Sequence, residues 1–494
     1  MAELSDLGSI SQLLFWDQQT MMPPAGAEAR AERAATLSLA IHARESDPGL
    51  GALLDALEPW AAGEDPDSDD VRLIYWTRRD YEKSVRVPPE LAAEMSKAKA
   101  LGQHAWQQAR AANDFGRFRD SLQRHVELRH RYVECFEGFD HPYDALLDDF
   151  EPGLTTAEVR PLLAQLRDSL VPLVAAAGDR GQARNDGALH GTFGVDAQRI
   201  AVLNVLEEIG FDPQSWRLDP TLHPFAAGLA PHDVRLTTKY DESDFAVALY
   251  SALHEFGHGL YEAQVDKRLF RTTLDDPVSL GVHESQSRMW ENIIGRSRSF
   301  CAWMHPRLAE WLPGTVEGLD ATALYRAVNT VQPSLIRTEA DETTYNLHIV
   351  LRFELELALT EGTLPVDDLP AAWDEGMERL LGIEVPTVAD GVLQDVHWST
   401  GLFGYFPTYT LGNLIACQLW ERINEDLPDL DEQFLRGEFA PLREWLREHV
   451  HQHGRKFPPR ELLRRITGDD LRVDPFLRYL REKLADAGIL ARAA

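Results

Sequence analysis

The sequence of 494 residues predicts a mainly α-helical fold. Long segments repeat apolar residues at i, i+3 and i+4, which is the spacing of one helix face. The clearest of these segments span residues 75–85, 89–113, 115–136 and 156–177. Residues 233–240 instead alternate and contain β-branched side chains, so we expect a strand there. Because no Pro-, Ser- or Gly-rich linker interrupts the chain, we expect one domain over residues 1–494, with two helical lobes flanking a groove as the alternative.

Composition and charge exclude several classes of protein. The chain has 80 Asp and Glu against 49 Lys and Arg, a formal net charge of −31. Nucleic-acid binding needs clustered basic residues, so we expect no such partner. We find neither a signal-peptide pattern nor an apolar run long enough to span a membrane, and therefore expect no membrane association. Three widely spaced cysteines are typical of free thiols, which favours a cytoplasmic location.

The predicted strand leads into an apolar segment, residues 245–261, that should form a buried helix. This helix carries His-Glu-Phe-Gly-His at positions 254–258. His254 and His258 lie one turn apart on the same face, so both imidazoles can bind one ion. Glu255 lies one step round the helix, where its carboxylate can take a proton from an ion-activated water. Ordinary hydrogen-bonded histidines are the alternative, and a third ligand would decide against it.

A third ligand is available in the next predicted helix, residues 281–295. The intervening chain is long enough to turn and bring this second helix alongside the first. Glu284 would then complete a two-histidine, one-glutamate site with an open fourth position, the catalytic form of zinc coordination. Its neighbour His283 is the competing ligand. The sequence thus predicts one divalent metal ion per chain. Zinc is the predicted ion, and cobalt is the alternative.

Further motifs accompany these residues along nearly the whole chain. They are LFWDQ at 14–18, MPPAGAEAR at 22–30, HPF at 223–225, DVRLT at 233–237, HESQ at 283–286, IRTEAD at 336–341 and GVLQDVHW at 391–398. In this order they resemble the carboxypeptidase Taq (M32) family of metallocarboxypeptidases. The resemblance implies a large helical metallopeptidase fold with a deep central groove and a small antiparallel sheet beside the HExxH helix. It also implies a homodimer, peptide substrates, and Glu284 rather than His283 as the third ligand.

A carboxypeptidase must recognise the terminal carboxylate of its substrate. Arginine suits this role, since its planar fork matches a carboxylate with two hydrogen bonds. Arg337 lies among apolar residues, and the resemblance implies a functional arginine there, so we predict that it holds the carboxylate. Arg235, in the predicted strand, is the second candidate, and Gln394 is a further predicted substrate contact. An internal salt bridge is the alternative for either arginine, for Arg337 with Asp341.

The developing oxyanion needs a hydrogen-bond donor that strengthens in the transition state. A segment rich in glycine and aromatic residues, 400–412, follows His397 and contains Tyr405 and Tyr409. The imidazole of His397 or the phenol of Tyr409 could donate to the tetrahedral intermediate, so we predict a catalytic role for both. We expect Tyr405 to contact substrate. Packing is the alternative for both tyrosines.

The sequence alone does not identify which residue orients the metal ligand His254. Related zinc peptidases carry an aspartate four residues after the glutamate ligand, but Arg288 occupies that position here. Glu291 and Asp341 are therefore the candidates to orient His254.

Two other functions share the scaffold. An oligopeptidase or endopeptidase would use the same centre, whereas a non-catalytic peptide-binding protein would have lost ligands that this chain retains. The histidines at 449, 451 and 453 cannot converge from one helix. We expect them to lie, partly charged, at a helix end.

Overall fold

The computed structural model describes residues 1–181 and 188–491, and these residues are mainly helical. The predicted fold class is confirmed. Within the described residues the α-helices are α1 (Ala2–Thr20), α2 (Ala27–Glu45), α3 (Pro48–Ala61), α4 (Asp69–Arg86), α5 (Pro89–Ala112), α6 (Gly116–Val133), α7 (Pro142–Leu147), α8 (Thr156–Gly181), α9 (Val195–Ile209), α10 (Phe245–Ala263), α11 (Leu280–Arg288), α12 (Arg298–Trp311), α13 (Ala321–Ala327), α14 (Glu342–Thr360), α15 (Leu369–Leu381), α16 (Pro407–Asp426), α17 (Leu430–Arg436), α18 (Ala440–His449), α19 (Pro459–Thr467) and α20 (Asp474–Asp486).

Among the described residues, shorter helical segments and three strands lie between these helices. A π-helical segment, Met289–Ile294, follows α11 directly. The 3₁₀ helices span Pro24–Gly26, Lys267–Leu269, Arg337–Glu339, Val366–Asp368, His397–Thr400 and His451–His453. The strands are β1 (Trp216–Pro220), β2 (Ala226–Ala230) and β3 (Asp233–Thr238). None of the helices in the described ranges combines the length and the apolar content needed to cross a membrane.

The four helical segments predicted from periodicity correspond to α4, α5, α6 and α8. Helix α5 ends because Asn113 adopts a left-handed conformation, with φ of 51°, which asparagine tolerates at a helix terminus. The predicted strand is β3, which ends at Thr238. Local sequence pattern therefore located these elements, and the largest difference is at α4, which begins at Asp69 and not at residue 75.

The three strands form a mixed sheet with the order β1-β3-β2. Strand β2 runs antiparallel to β3, with Ala226 opposite Leu236, whereas β1 runs parallel to β3, with Trp216 opposite Val234. The small sheet is thus present, but the expectation that it is wholly antiparallel is wrong. Strand β2 returns the chain along one edge of β3, which leaves β1 and β3 pointing in the same direction.

The described residues group into two compact units. Of the described residues, unit 1 comprises 1–85, 188–328 and 415–470, and unit 2 comprises 86–181, 329–414 and 471–491. Each unit is therefore built from three separate stretches of sequence. The single domain expected over residues 1–494 stays a prediction.

Unit 1 is built around α10, which packs against the sheet. Asp244 caps this helix, since its carboxylate accepts a hydrogen bond from the backbone N–H of Ala246 at 2.9 Å. Gly259 lets the sheet approach, because a Cβ there would lie 2.8 Å from side-chain atoms of Val234 and Leu236. The apolar face of α10 is buried as the sequence predicted.

Unit 2 is built around α14, in which nearly every side chain is buried. Asp341 caps α14, because its Oδ1 accepts hydrogen bonds from the backbone N–H groups of Thr343 and Thr344. The helix packs against α8 and α15 of the same unit. Two charged residues, Arg352 and Glu356, are completely buried within it.

Candidate metal centre

The two helices that carry the candidate ligands approach each other closely at Gly257. A Cβ at this position would lie 2.4 Å from the carbonyl oxygen of Gln286 and 2.6 Å from the Cα of Ser287. Only glycine allows backbone to pack against backbone in this way. The glycine inside the HEFGH motif thus permits α11 to bring Glu284 beside α10.

The three candidate ligand atoms converge in unit 1. Nε2 of His254 lies 3.2 Å from Nε2 of His258, and Oε2 of Glu284 lies 3.7 Å and 3.5 Å from these two nitrogens. A tetrahedral ion with bonds of about 2.0–2.1 Å places its ligand atoms about 3.3 Å apart. The donor set therefore fits a divalent ion. Among the described residues, these three side chains are the group of potential ligands whose atoms lie close enough together to hold one metal ion.

The two histidines are supported in different ways. Nδ1 of His254 donates a hydrogen bond to Oε2 of Glu291 at 2.9 Å, which turns its Nε2 toward the ligand cluster. His258 is stacked on the ring of His283, with centroids 4.2 Å apart, and Nε2 of His283 lies 3.2 Å from Glu262. Of the two acids considered for orienting His254, Glu291 makes this contact.

Glu255 is a further buried acid beside the ligand cluster. Its side chain is buried, and its Oε2 has no hydrogen-bond partner among the described residues. Burial raises the pKa of the Glu255 carboxyl to about 8, although the charge of His254 opposes this shift. A buried carboxyl with one oxygen outside any hydrogen bond with the described residues is in a position to exchange a proton with water.

The other two carboxylates of the centre are ionised. Burial disfavours their charge, but Arg288 and His254 outweigh it and lower the pKa of Glu291 to about 2. The pKa of Glu284 is held well below its usual range against the same opposing effect of burial, by Arg288 and both histidines. The pKa values of the three acids are thus shifted in different directions because their neighbours differ.

Arg235 pairs within its own strand. Its Nε and Nη2 donate to the two carboxylate oxygens of Asp233 at 2.9 Å and 3.0 Å. The guanidinium also lies 4.3 Å from the ring centroid of Trp16, a cation–π contact. Much of the hydrogen-bonding capacity of Arg235 is therefore already occupied in unit 1.

His451 is structural, but the expectation of partly charged histidines at a helix end is wrong for this residue. Its ring is fully buried, and its two nitrogens lie 2.7 Å and 2.8 Å from the side-chain amides of Gln264 and Gln286. Burial, together with the nearby charge of His283, lowers the pKa of His451 to about 3. The imidazole is therefore neutral and joins the side chain of Gln264, after α10, to that of Gln286 in α11.

A second cluster of candidate residues lies in unit 2, centred on Asp395. Nε and Nη2 of Arg337 donate to Oδ1 of Asp395 at 3.0 Å and 2.8 Å, and Nε of Arg352 donates to Oδ2 at 2.6 Å. Nη1 of Arg337 donates to the hydroxyl of Tyr345 at 2.8 Å. The internal partner of Arg337 is therefore Asp395, while Asp341 caps a helix.

Gln394 links the two arginines of this cluster. Its Oε1 accepts from the backbone N–H of Arg337 at 2.9 Å and from Nη2 of Arg352 at 2.8 Å. Its Nε2 donates to the carbonyl oxygens of Leu335 and Asp390. Both ends of the amide are occupied inside unit 2, so the geometry supports a positioning role better than direct substrate contact.

His397 and the two tyrosines form an aromatic group in the same unit. Nε2 of His397 lies 3.1 Å from the hydroxyl of Tyr409. The ring of Tyr405 lies 5.2 Å from that of His397 and 5.4 Å from that of Tyr409. Burial lowers the pKa of His397 to about 3, although Asp395 opposes this. The imidazole is neutral, so it can donate only from the nitrogen that carries the proton.

Sequence reasoning missed Asp395, Arg352 and Glu356. Asp395 lies inside the GVLQDVHW motif, next to residues that were singled out, and gave no signal of its own. Arg352 and Glu356 are charged residues inside an apolar helical run, LHIVLRFELEL, and this mismatch was a usable signal. Glu356 accepts hydrogen bonds from Tyr143, Trp398 and the backbone of Gly404, at 2.6, 2.8 and 3.0 Å.

Comparison with known proteins adds independent information. The family profile described as carboxypeptidase Taq (M32) metallopeptidase matches residues 1–484. Thermostable carboxypeptidase 1 of Thermus thermophilus is 42% identical over 98% of this chain and 96% of its own length. Carboxypeptidase 1 of Bacillus subtilis is 37% identical over 99% of this chain and 97% of its own.

Solved structures agree with these relatives. The crystal structure of the M32 carboxypeptidase from Deinococcus radiodurans R1 matches with a TM-score of 0.94 and 42% identity, over 99% of this chain and 98% of that one. A carboxypeptidase of Pyrococcus furiosus matches with a TM-score of 0.93 and 37% identity, over 98% and 97% of the two chains.

Proposed function

Because this chain belongs to the carboxypeptidase Taq (M32) family of metallopeptidases, it is a metallocarboxypeptidase, and we propose that it works with one zinc ion held by His254, His258 and Glu284. The observation that carries this proposal is the spacing of the three ligand atoms, 3.2 to 3.7 Å. Two imidazoles and one carboxylate are the ligand set of catalytic zinc, and cobalt accepts the same donors.

Glu255 is the proposed general base. A bound ion would polarise the scissile carbonyl and acidify water. Glu255 takes the proton of the attacking water and returns it to the leaving amine. Its burial beside the ligand cluster and its unpartnered Oε2 support this assignment.

Arg337 is the proposed anchor for the terminal carboxylate of the peptide. Arg337 and Arg352 bring two positive charges into a buried cluster, and Asp395 supplies one negative charge. A buried cluster with excess positive charge is stabilised by an added anion, and a carboxylate suits the guanidinium fork. Arg235 is the weaker proposal, since Asp233 already occupies its fork.

His397 and Tyr409 are the proposed donors to the developing oxyanion. The neutral imidazole and the phenol each carry a proton at neutral pH, and their contact at 3.1 Å lets one orient the other. The predicted substrate contact of Tyr405 is retained as a proposal on the strength of its packing against both rings. For Gln394 we propose that it positions the backbone of Arg337.

Metal content and substrate form test the proposed function. Purified protein should contain about one zinc-type ion per chain. Removing the ion with a chelator should abolish release of the C-terminal amino acid, and zinc or cobalt should restore it. Full activity of a metal-free protein would refute the metal assignment. Amidation of the peptide's C-terminus should strongly reduce cleavage, whereas efficient internal cleavage of the amide would indicate an endopeptidase.

The cellular location and assembly are also proposed. The absence of disulfides among the described residues supports a cytoplasmic protein, since the thiols of Cys135, Cys301 and Cys417 are not oxidised to disulfides. Family resemblance supports a homodimer. Sedimentation of the purified protein at several concentrations measures the assembly, and a monomer at all of them would contradict the proposal.

A further inference from the structure

Arg288 lies between two carboxylates on one face of the helix that carries Glu284. Glu284, Arg288 and Glu291 are spaced four and three residues apart, which places them above one another. Nε of Arg288 donates to Oε1 of Glu284 at 2.7 Å, and its Nη1 donates to Oε2 of Glu291 at 3.2 Å. All three side chains are at least four-fifths buried. A single guanidinium thus joins the two acids away from bulk water.

Each of these carboxylates has a second contact at the metal centre. Oε2 of Glu284, the oxygen that Arg288 does not hold, lies 3.5 to 3.7 Å from the Nε2 atoms of His254 and His258. Glu291 Oε2 accepts the hydrogen bond from Nδ1 of His254. The contacts of Arg288 therefore reach two of the three ligands, Glu284 directly and His254 through Glu291.

We propose that Arg288 is a positioning residue that sets the coordination number of the bound ion. By holding Oε1 of Glu284 it would leave only Oε2 for an ion, so the glutamate would bind through one oxygen. By holding Glu291 it also fixes the rotation of the His254 ring. This inference rests on the proposed ligand set, since it concerns how those ligands are held.

The chemistry of the guanidinium explains why arginine is used here. A carboxylate can bind a metal through one or both oxygens, and a four-coordinate centre with an open position needs only one. The planar guanidinium donates in fixed directions to two acceptors at once, which a flexible ammonium group cannot reproduce. Lysine at this position would supply the charge but not the simultaneous contact with both acids.

The helix geometry next to Arg288 is consistent with this role. The chain changes from α-helix to π-helix directly after Arg288, and the backbone N–H of Gly295 donates to the carbonyl of Trp290, five residues earlier. Such segments occur frequently at functional sites. Glu291 lies inside the π-helical segment, and the guanidinium of Arg296 lies 3.8 Å from its other oxygen. Glu291 is thus held from both sides.

Cobalt substitution provides the test, because the absorption of cobalt reports its coordination number. The variants are Arg288→Gln and Arg288→Lys. Arg307→Gln serves as the control, since Arg307 is a part-buried arginine of unit 1 that bonds the carbonyl of Trp303. Each metal-free protein is checked for folding by circular dichroism and thermal unfolding, then titrated with Co²⁺, and its zinc affinity is measured by competition with a chelator.

We expect the intense visible absorption of four-coordinate cobalt for the wild type and for Arg307→Gln. Arg288→Gln should show the weaker bands of a five-coordinate ion, because Oε1 of Glu284 becomes free to bind. Its dissociation constant for zinc should rise about 10- to 100-fold, the usual effect of removing a residue that orients a ligand. Arg288→Lys should show the same spectral change, with a smaller loss of affinity because the charge remains.

A wild-type spectrum and affinity in Arg288→Gln would overturn the proposal. If Arg288→Gln does not fold, Arg288→Lys decides: unchanged absorption overturns the proposal and weakened absorption supports it. Failure of the proposed ligand set would appear differently, as a wild-type protein that binds no cobalt at all.

Discussion

Replacing Gly257 with alanine adds one methyl group at the closest contact between α10 and α11. The new Cβ would lie 2.4 Å from the carbonyl oxygen of Gln286, whereas an ordinary contact with such an oxygen needs about 3.4 Å. Both neighbours are backbone atoms, so neither can rotate away. The helices must therefore separate by about 1 Å, and the distance from Glu284 to the histidines grows beyond what a tetrahedral ion of about 2.0–2.1 Å bonds allows.

The energetic balance of this change has two opposing parts. Alanine favours a helix over glycine by about 1 kcal/mol, whereas overpacking of this kind costs about 1–3 kcal/mol or more. Because the contact of 2.4 Å is with backbone, we expect the upper end of this cost and so a net destabilisation of the metal-free protein by about 2 kcal/mol, and a weaker zinc affinity in addition. Gly8→Ala in α1 is the matched control, because a Cβ at Gly8 would meet no atom within 4 Å.

Thermal unfolding with and without zinc, together with chelator competition, measures both effects. Gly8→Ala should leave zinc affinity unchanged and hold or raise the unfolding temperature. Gly257→Ala should lower both quantities. Wild-type stability and affinity in Gly257→Ala would refute the argument that glycine is needed for the approach of the two helices.

Further predictions concern chemistry and stability. Glu255→Gln should retain the metal and lower kcat by about 10²–10⁴, as expected when a general base is lost, measured by steady-state kinetics. Arg337→Ala should lower kcat/KM for a free-acid peptide by a factor equivalent to about 2–4 kcal/mol of transition-state binding. The same substitution should hardly change kcat/KM for the amide of that peptide. A double cycle, with both enzymes tested on both peptides, measures the difference. Glu356→Gln should destabilise the protein by about 1–3 kcal/mol, because one of three buried donors loses its acceptor, as thermal unfolding measures. Acid should also destabilise the fold: burial lowers the pKa of His125 to about 4 and that of His451 to about 3. The contribution of these neutral histidines to the free energy of unfolding is fully present above the unfolded pKa of about 6.5 and is lost as the pH falls toward 4. By pH 5.5 each histidine should have lost about 1.4 kcal/mol of stability. Unfolding temperatures at pH 7.5 and pH 5.5 measure this loss.

Each of these predictions has a contradicting result. Loss of metal from Glu255→Gln with retention in Glu284→Gln would exchange the roles of the two acids. Equal losses for both peptides in Arg337→Ala would make that arginine structural, through its pair with Asp395. If Glu356→Gln has the stability of the wild type, the buried hydrogen bonds from Tyr143 and Trp398 contribute little to the free energy of unfolding. For the histidines, equal unfolding temperatures at both pH values would contradict the acid prediction.

The sequence by itself determined the helical fold, the strand β3 and the convergence of His254 and His258. These features depend on short spacings, because a helix repeats every 3.6 residues and a strand every two, whatever surrounds them. Glu284 was predicted as the third ligand from its type, from the length of chain before it and from a family resemblance. The structure brings its Oε2 within 3.7 Å of both histidines.

Only the tertiary structure decided which long-range partners were chosen. Local spacing offered Asp341 as an alternative internal partner for Arg337, but the folded chain uses Asp341 as a helix cap and pairs Arg337 with Asp395. The partner of His254 was likewise open until packing placed Glu291 beside it. A buried charge pairs with whichever opposite charge the packed backbone brings within about 3 Å, and that distance depends on contacts, such as the one at Gly257, between residues far apart in sequence.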